Sequence, residues 1–173
     1  MQLLKNQQKQ PRKRKNKEYS VEFSTVYDID DVMSLMRHYF LESGYSRYQN
    51  DCEYCDETAR QTFMEYLESP QTMCVMVKSG DNPAGFAVVG TKKTFYKKPD
   101  GDVVMFYVSP EHRATGASRI LRDAVEECMD LFGCGPRFTE CGSDLGDKNT
   151  ALYANLWKKK NYRIIGLTLA RIN

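Results

Sequence analysis

The 173-residue sequence lacks any apolar run that approaches the roughly 18 to 20 residues needed to span a membrane. Its first residues are polar and basic, without the apolar stretch of a signal peptide. A membrane protein and a secreted protein are therefore both unexpected, and we expect a cytoplasmic protein. Hydrophobic residues make up 41% and charged residues 28%, which argues against disorder over most of the length.

Acidic residues are absent from the first 17 positions, which hold seven Lys and Arg. Of the 25 basic residues in the chain, 18 then remain against 23 acidic ones, so the rest of the chain is mildly acidic. We expect residues 1–17 to form a disordered basic tail and residues 18–173 to form one domain. Three roles are open for the tail: binding nucleic acid, docking a protein partner, or remaining solvated.

A second closely spaced cysteine pair is missing, which weakens the case for a zinc site. Cys52 and Cys55 have metal-ligand spacing, but a closed site needs four ligands, and only two histidines could complete it. We expect no metal site and two cysteines in a loop beside a helix start; a redox pair is the other open reading. Cys74 and Cys128 fall within apolar patterns and are expected to be reduced core residues.

Apolar periodicity predicts helices that alternate with strands. Strands are expected at 19–27, 72–77, 84–94, 103–108, 137–141 and 162–171, and helices after Asp28 and at 56–67, 116–132 and 147–160. Asp28 is expected to cap the first helix, because its carboxylate can accept from first-turn amides. This order predicts an α/β (α+β) fold in which a mixed central sheet of six to seven strands is flanked by about four helices.

The segment from Met105 to Leu121 is the most informative. It reads as a strand, a Pro turn, a loop of small residues and an amphipathic helix. The loop from Arg113 to Ser118 would leave backbone N–H groups unpaired at a helix N-terminus, where the helix dipole also favours an anion. Such a loop suits a pyrophosphate, to which Arg113 adds a positive charge. The alternative is a tight turn whose small residues serve packing alone.

The pattern Arg/Gln-x-x-Gly-x-Gly/Ala is matched at its first two places by Arg113 and Gly116. At the third place this sequence has Ser118, which is also small. With the order of elements from about residue 20 to 171, this resembles the GCN5-related N-acetyltransferase (GNAT) family. The resemblance implies acetyl-CoA as co-substrate and direct attack on its thioester by an amine of a small molecule or protein. It also implies a GNAT-like sheet with a gap beside the strand that precedes the loop. The implied co-substrate-binding residues are Val108, Arg113, Ala114, Thr115, Gly116, Ala117 and Ser118.

The last helix matches the family pattern Asn-x-x-Ala-x-x-Leu-Tyr-x-x-x-Gly-Phe in two registers. One puts Trp157 where the family has the Tyr that protonates the leaving thiolate, although an indole does not work as an acid near neutral pH. The other uses Tyr153 and adds a helical turn before Tyr162. The first register is favoured, because short connections are the rule. Tyr153 lies one turn before Trp157 on the same helix face and is the candidate catalytic acid. No general base is assigned, and His112 is expected at the surface.

The stretch from Phe106 to Arg113 also resembles bacteriophage-encoded members of the family. This resemblance implies an alternative function, a non-catalytic structural or binding protein located in the virion. It is a likeness at the level of the fold, which by itself does not determine function. A homo-oligomer is a further open expectation, and no membrane partner is expected.

Overall fold

The computed structural model describes residues 18–42, 53–139 and 146–163. Its strands are β1 (Ser20–Phe23), β2 (Thr72–Ser79), β3 (Asn82–Lys92), β4 (Asp100–Val108) and β5 (Arg137–Thr139). Its α-helices are α1 (Ile29–Glu42), α2 (Asp56–Glu68), α3 (Pro110–Arg113), α4 (Ala117–Leu131) and α5 (Gly146–Lys158). The predicted tail at 1–17 lies outside the described residues, as does the predicted last strand from residue 164 onward.

The strands form one mixed sheet in the order β1-β2-β3-β4-β5. Neighbours from β1 to β4 are antiparallel, whereas β5 runs parallel to β4. The middle of β3 is buried on both faces, because helices cover both sides of the sheet. The predicted mixed α+β sheet is therefore confirmed, although the described residues hold five strands where six to seven were predicted.

Two buried clusters lie on opposite faces of the sheet. Along β3, Ala87 and Val89 belong to the cluster under α4 and α5, while Phe86 and Val88 belong to the cluster under α1 and α2. This alternation is the expected period of two for a strand. On α4 the buried side chains recur at helical spacing and match the predicted stripe; they include Leu121, Ala124, Val125 and Cys128. No helix within the described ranges is long and apolar enough to cross a membrane.

The start of the fold differs from the sequence prediction. The first strand ends at Phe23, and Val26–Asp28 form a single 3₁₀ turn instead of continuing the strand. Thr25 is the capping residue: its side-chain oxygen accepts from the Tyr27 N–H at 3.3 Å. The Asp28 carboxylate accepts from the Thr25 N–H at 2.8 Å, which completes a capping box. Asp28 therefore accepts from Thr25, which precedes the 3₁₀ turn, and the prediction that it accepts from the first amides of the following helix was wrong.

Candidate functional site

Strand β4 pairs with a neighbour on each side. Among the described residues it pairs with β5 at Gly101–Arg137, Asp102–Phe138 and Val103–Thr139, and with β3 as far as Val108. Residues 140–145, which follow β5 in the chain, lie outside the described residues. The Ser109 N–H donates to the Ala84 carbonyl of β3 at 3.0 Å. Because backbone groups of successive strand residues point to alternate sides, the N–H and carbonyl of Val108 face away from β3. The backbone groups of Val108, at the carboxyl end of β4, are therefore not used in pairing with β3.

The turn after β4 leads directly into the N-terminus of α4. The sequence predicted a turn here, but Pro110 begins the one-turn helix α3. The fixed φ of proline suits the first position of a helix. Gly116 then caps α4 with φ +108°, a left-handed conformation that glycine adopts without strain. The Arg119 and Ile120 N–H groups donate to the Gly116 carbonyl at 3.0 and 3.2 Å.

The first amides of α4 differ in exposure: Ser118 is half-buried, whereas Ala117 is fully buried. Ala117 and Ser118 precede the first intrahelical hydrogen bonds, and their N–H groups have no partner among the described residues. The positive end of the helix dipole lies at the same place. The structure thus places Gly116, Ala117 and Ser118 of the predicted set together at this end of the helix.

The Arg113 side chain already bonds to other groups of the protein. Its Nε donates to the Val108 carbonyl at 2.7 Å, and its guanidinium forms an ion pair with Glu42, the last residue of α1. The guanidinium carbon also lies 5.6 Å from the centre of the Tyr107 ring. The Tyr107 hydroxyl donates to Glu42 at 2.9 Å, and burial together with this bond raises the pKa of Tyr107. The positive charge expected at the loop is therefore balanced by Glu42.

Arg119 is the cation that sequence reasoning missed. Its Nη2 would lie 3.6 Å from a Cβ atom at Gly116. The side chain is exposed and forms no ion pair with another described residue. The signal was present in the sequence, because residues three apart on a helix are neighbours and Arg119 follows Gly116 by three.

A hydrogen-bond network joins Tyr19 to His112 of α3 and to Thr115 in the loop between α3 and α4. Thr115 Oγ1 donates to the His112 carbonyl at 2.7 Å, so its oxygen accepts from the Tyr19 hydroxyl. The Tyr19 oxygen, 2.9 Å from His112 Nδ1, can then only accept, which places a proton on Nδ1. His112 is only 7% exposed, so its expected surface position was wrong. The chain just before β1 is thereby fixed to the loop between α3 and α4.

Helix α5 places Tyr153 and Trp157 against Phe106 of β4, with both ring centroids 5.7 Å from that of Phe106. Trp157 is 2% exposed, and its Nε1 has no hydrogen-bond partner within the described residues. The Tyr153 hydroxyl instead contacts the side-chain oxygen of Thr139. Thr139 of β5 pairs with Val103 of β4, so the Tyr153 hydroxyl lies beside these two strands.

The predicted metal spacing at Cys52 and Cys55 is only half described. Cys55 is exposed at the N-terminus of α2, and Cys52 lies outside the described residues. Among the described side chains, no group of three His, Cys, Asp or Glu could hold a metal ion.

Several solved structures share this fold. An aminoglycoside N-acetyltransferase, AAC(6')-Iy, in complex with CoA aligns with a TM-score of 0.70 at 11% identity, over 90% of this chain and 95% of its own. AAC(6')-IG, an aminoglycoside antibiotic 6'-N-acetyltransferase from Acinetobacter haemolyticus, aligns with a TM-score of 0.66 at 11% identity, over 89% and 97%. A ribosomal-protein-alanine N-acetyltransferase from Brucella melitensis biovar Abortus 2308 aligns with a TM-score of 0.64 at 13% identity, over 90% and 99%. Identities this low show a common fold alone.

The sequence matches no curated protein. The family model described as "Acetyltransferase (GNAT) family" matches residues 29–156, well over half of the chain. The matched range begins with α1 and extends into α5, so it contains the end of β4, the Gly116 turn and Tyr153. The chain therefore belongs to the acetyltransferase (GNAT) family.

Proposed function

We propose that the protein is an N-acetyltransferase that transfers the acetyl group of acetyl-CoA to an amine of a small molecule or protein. The observation that carries the proposal is the end of β4, where the Val108 backbone faces away from β3, followed closely by the left-handed Gly116 and the N-terminus of α4. One end of this arrangement suits an extended amide chain, and the other suits a pyrophosphate. The family membership of the chain supports the same reaction class.

In this proposal the seven predicted residues have three different roles in binding acetyl-CoA. Val108 offers its N–H to the pantetheine arm, since its carbonyl is engaged by Arg113. The amides at the start of α4, from Gly116 to Ser118, are the proposed pyrophosphate donors. The Ala114 and Thr115 N–H groups are directed at the His112 carbonyl, and Thr115 anchors the loop through Tyr19. Arg113 serves the site by holding the end of β4, while Arg119 supplies the uncommitted positive charge.

The chemistry is a direct acyl transfer. The amine nitrogen forms a bond to the thioester carbonyl carbon and loses a proton to solvent water, the carbon–sulfur bond breaks, and the sulfur leaves as a thiolate. Tyr153 is the proposed donor that protonates this thiolate. Its hydroxyl contacts Thr139 of β5, and its ring packs against Phe106 of β4. Trp157 is buried in the core and has a structural role in this scheme.

The similar structures agree with an amine acceptor. Their names describe acetyl transfer to nitrogen in aminoglycosides and in an alanine of a ribosomal protein. Those acceptors include both a small-molecule class and a protein class, so the proposal for this chain extends to amines of either kind.

The test uses acetyl-CoA labelled with carbon-13 in the acetyl group and a panel of aminoglycosides, polyamines and peptides with free N-termini. Mass spectrometry then identifies any amine that gains the label. The wild-type protein should label at least one amine class, and the Gly116→Glu variant should label none, because it places bulk and negative charge at the phosphate position. Wild-type protein that binds acetyl-CoA but labels no amine would contradict the proposed activity.

That contradicting result would favour the second candidate, a non-catalytic structural or binding protein of a phage particle. The observation that favours this candidate is Trp157, which is buried in the core at the position where the preferred register expects a proton-donating Tyr. Location follows the function in both cases: cytoplasm for the enzyme and virion for the structural protein.

A further inference from the structure

The hairpin that joins β3 to β4 carries two exposed aromatic rings at its tip, which comprises residues 92–98. Phe95 is fully exposed and Tyr96 is 69% exposed. Neither ring belongs to the two buried clusters that hold the sheet and helices together. Packing of the core therefore does not explain them. Two adjacent exposed rings form an apolar patch of the kind that marks a binding surface.

Four lysines flank the two rings, two on each side. They are Lys92, Lys93, Lys97 and Lys98, and all four are exposed. None of them forms an ion pair with another residue that the structure describes. The hairpin tip contains no acidic residue, whereas residues 18–173 as a whole are mildly acidic. The tip is therefore a local concentration of positive charge around two rings.

The base of the hairpin holds this tip in place. The Thr94 hydroxyl donates to Asp100 Oδ1 at 3.4 Å and accepts from the Tyr96 N–H at 3.5 Å. The Gly135 N–H, in the turn after α4, donates to the Pro99 carbonyl at 3.0 Å. These bonds order the loop before a ligand arrives, and an ordered loop loses less conformational freedom on binding.

The combination of rings and lysines favours one class of ligand. Aromatic faces stack on the bases of a single-stranded nucleic acid, and lysines neutralise its phosphates. A membrane surface also attracts lysines, but insertion needs a larger apolar area, and the hairpin tip contains no aliphatic hydrophobic side chain. An acidic protein surface would pair with the lysines and would offer the two rings no series of planar bases.

We propose that the hairpin tip binds single-stranded nucleic acid, with Phe95 and Tyr96 stacked on bases and the flanking lysines at phosphates. RNA and DNA share these groups, so the test includes both. The tip lies at the amino end of β4, and Val108 lies at the carboxyl end, about 26 Å away for a strand that rises about 3.3 Å per residue. The surface is thus separate from the proposed acyl-CoA site and does not depend on it.

The experiment measures binding of fluorescently labelled oligouridine and oligodeoxythymidine, each of about 12 nucleotides, to the full chain by fluorescence anisotropy. The stacking variant is Phe95→Ala with Tyr96→Ala. Its matched control is Tyr27→Ala, which removes a ring that is 93% exposed outside the hairpin tip. The stacking variant should bind both oligonucleotides about tenfold more weakly, and the control should bind them as tightly as the wild type.

A second pair of variants tests the lysines. The charge variant is Lys93→Gln with Lys97→Gln, and its control is Lys158→Gln with Lys159→Gln, which removes two exposed lysines at the end of α5. Each phosphate contact on a single strand contributes about 0.7 to the slope of log affinity against log salt, so the charge variant should lose about 1.4 from that slope. The control should keep the wild-type slope. Thermal unfolding verifies that every variant is folded.

Several results would overturn the inference. Wild-type protein that binds neither oligonucleotide, or a stacking variant that binds as tightly as the wild type, would exclude the rings as a binding surface. Equal losses in the charge variant and its control would reveal a diffuse charge effect. A duplex bound as tightly as the single strand would exclude stacking, because its bases are already stacked and paired. Vesicles containing phosphatidylserine that bind the wild type and not the stacking variant, with oligonucleotide affinity unchanged, would assign the tip to a membrane surface. Acetyl-CoA binding is independent of all these results.

Discussion

The Nε of Arg113 donates a 2.7 Å hydrogen bond to the carbonyl of Val108, and this bond closes the turn that follows β4. The guanidinium then continues to Glu42 at the end of α1. One side chain therefore joins the last residue of β4, the turn that leads to Gly116, and α1, which packs on the face of the sheet opposite α4. We infer that Arg113 holds the end of β4 in position for an extended ligand.

Replacing Arg113 tests this holding role. Arg113→Ala should raise the KM for acyl-CoA about tenfold, with a small effect on kcat, because the end of β4 loses its support. Arg113→Lys should restore little, since an ammonium group cannot serve Val108 and Glu42 together. Arg60→Ala is the matched control, because its ion pair with Asp30 is exposed and joins α2 to α1. Unchanged KM in Arg113→Ala would show that the hydrogen bond to Val108 is dispensable.

Tyr153→Phe should separate catalysis from binding. The change removes the hydroxyl that contacts Thr139 and keeps the ring against Phe106. We predict that kcat falls roughly 100-fold, the lower end of the range for a lost acid catalyst, while the KM for acyl-CoA stays within about twofold. Steady-state kinetics measure both constants. Tyr66→Phe, on a half-buried tyrosine of α2, is the control, and equal kcat values in the two variants would exclude Tyr153 as the acid.

Trp157 should affect stability through packing. Its side chain fills the core between Phe106 and Tyr162, so Trp157→Ala should lower the free energy of unfolding by about 3–5 kcal/mol. Trp157→Phe should cost much less, because the smaller ring still fills much of the space and the unpaired Nε1 disappears. Urea denaturation measures both values. A Phe variant as unstable as the Ala variant would mean that Nε1 has an important partner.

The cysteines should differ sharply in reactivity, because the thiolate is the reactive form. Burial raises the pKa of Cys74 to about 11 and that of Cys128 to about 12. Cys55 is exposed, and hydrogen bonds from Thr58 and from the first amides of α2 lower its pKa. Iodoacetamide at pH 8 should therefore label Cys55 in the native protein, and Cys74 and Cys128 only after unfolding in urea.

Mass spectrometry of tryptic peptides assigns the labelled thiols. Labelling of Cys128 at the rate of Cys55 in native protein would contradict the burial of Cys128 under α4.

The parts of the fold that follow from local periodicity could be predicted from the sequence. The buried stripe of α4 and the strands β2, β3 and β4 lie within a few residues of the predicted ranges, because their apolar side chains repeat at the period of each element. The end of β1 could not be predicted in this way. Thr25 and Asp28 form the turn that follows the strand through side-chain hydrogen bonds, which a hydrophobic pattern does not contain.

The site depends on long-range contacts, which explains what was missed there. Arg113 meets Glu42 across 71 positions, and Tyr19 meets Thr115 across 96, so neither pairing has a local signal. The choice between Tyr153 and Trp157 as the candidate acid likewise depends on which of the two side chains is buried in the core. Sequence spacing put both on one helix face, and only packing separates a buried indole from a hydroxyl at Thr139.

The central claim is that the Gly116 turn binds the phosphates of acyl-CoA, and calorimetric titration with acetyl-CoA tests it most directly. Gly133→Glu is the matched control for Gly116→Glu, because Gly133 is also left-handed, with φ +68°, and lies in open space after the other end of α4. We predict saturable binding in the micromolar range for the wild type and Gly133→Glu, and none for Gly116→Glu. Equal acetyl-CoA affinity in the two variants, or no binding by the wild type, would contradict the claim.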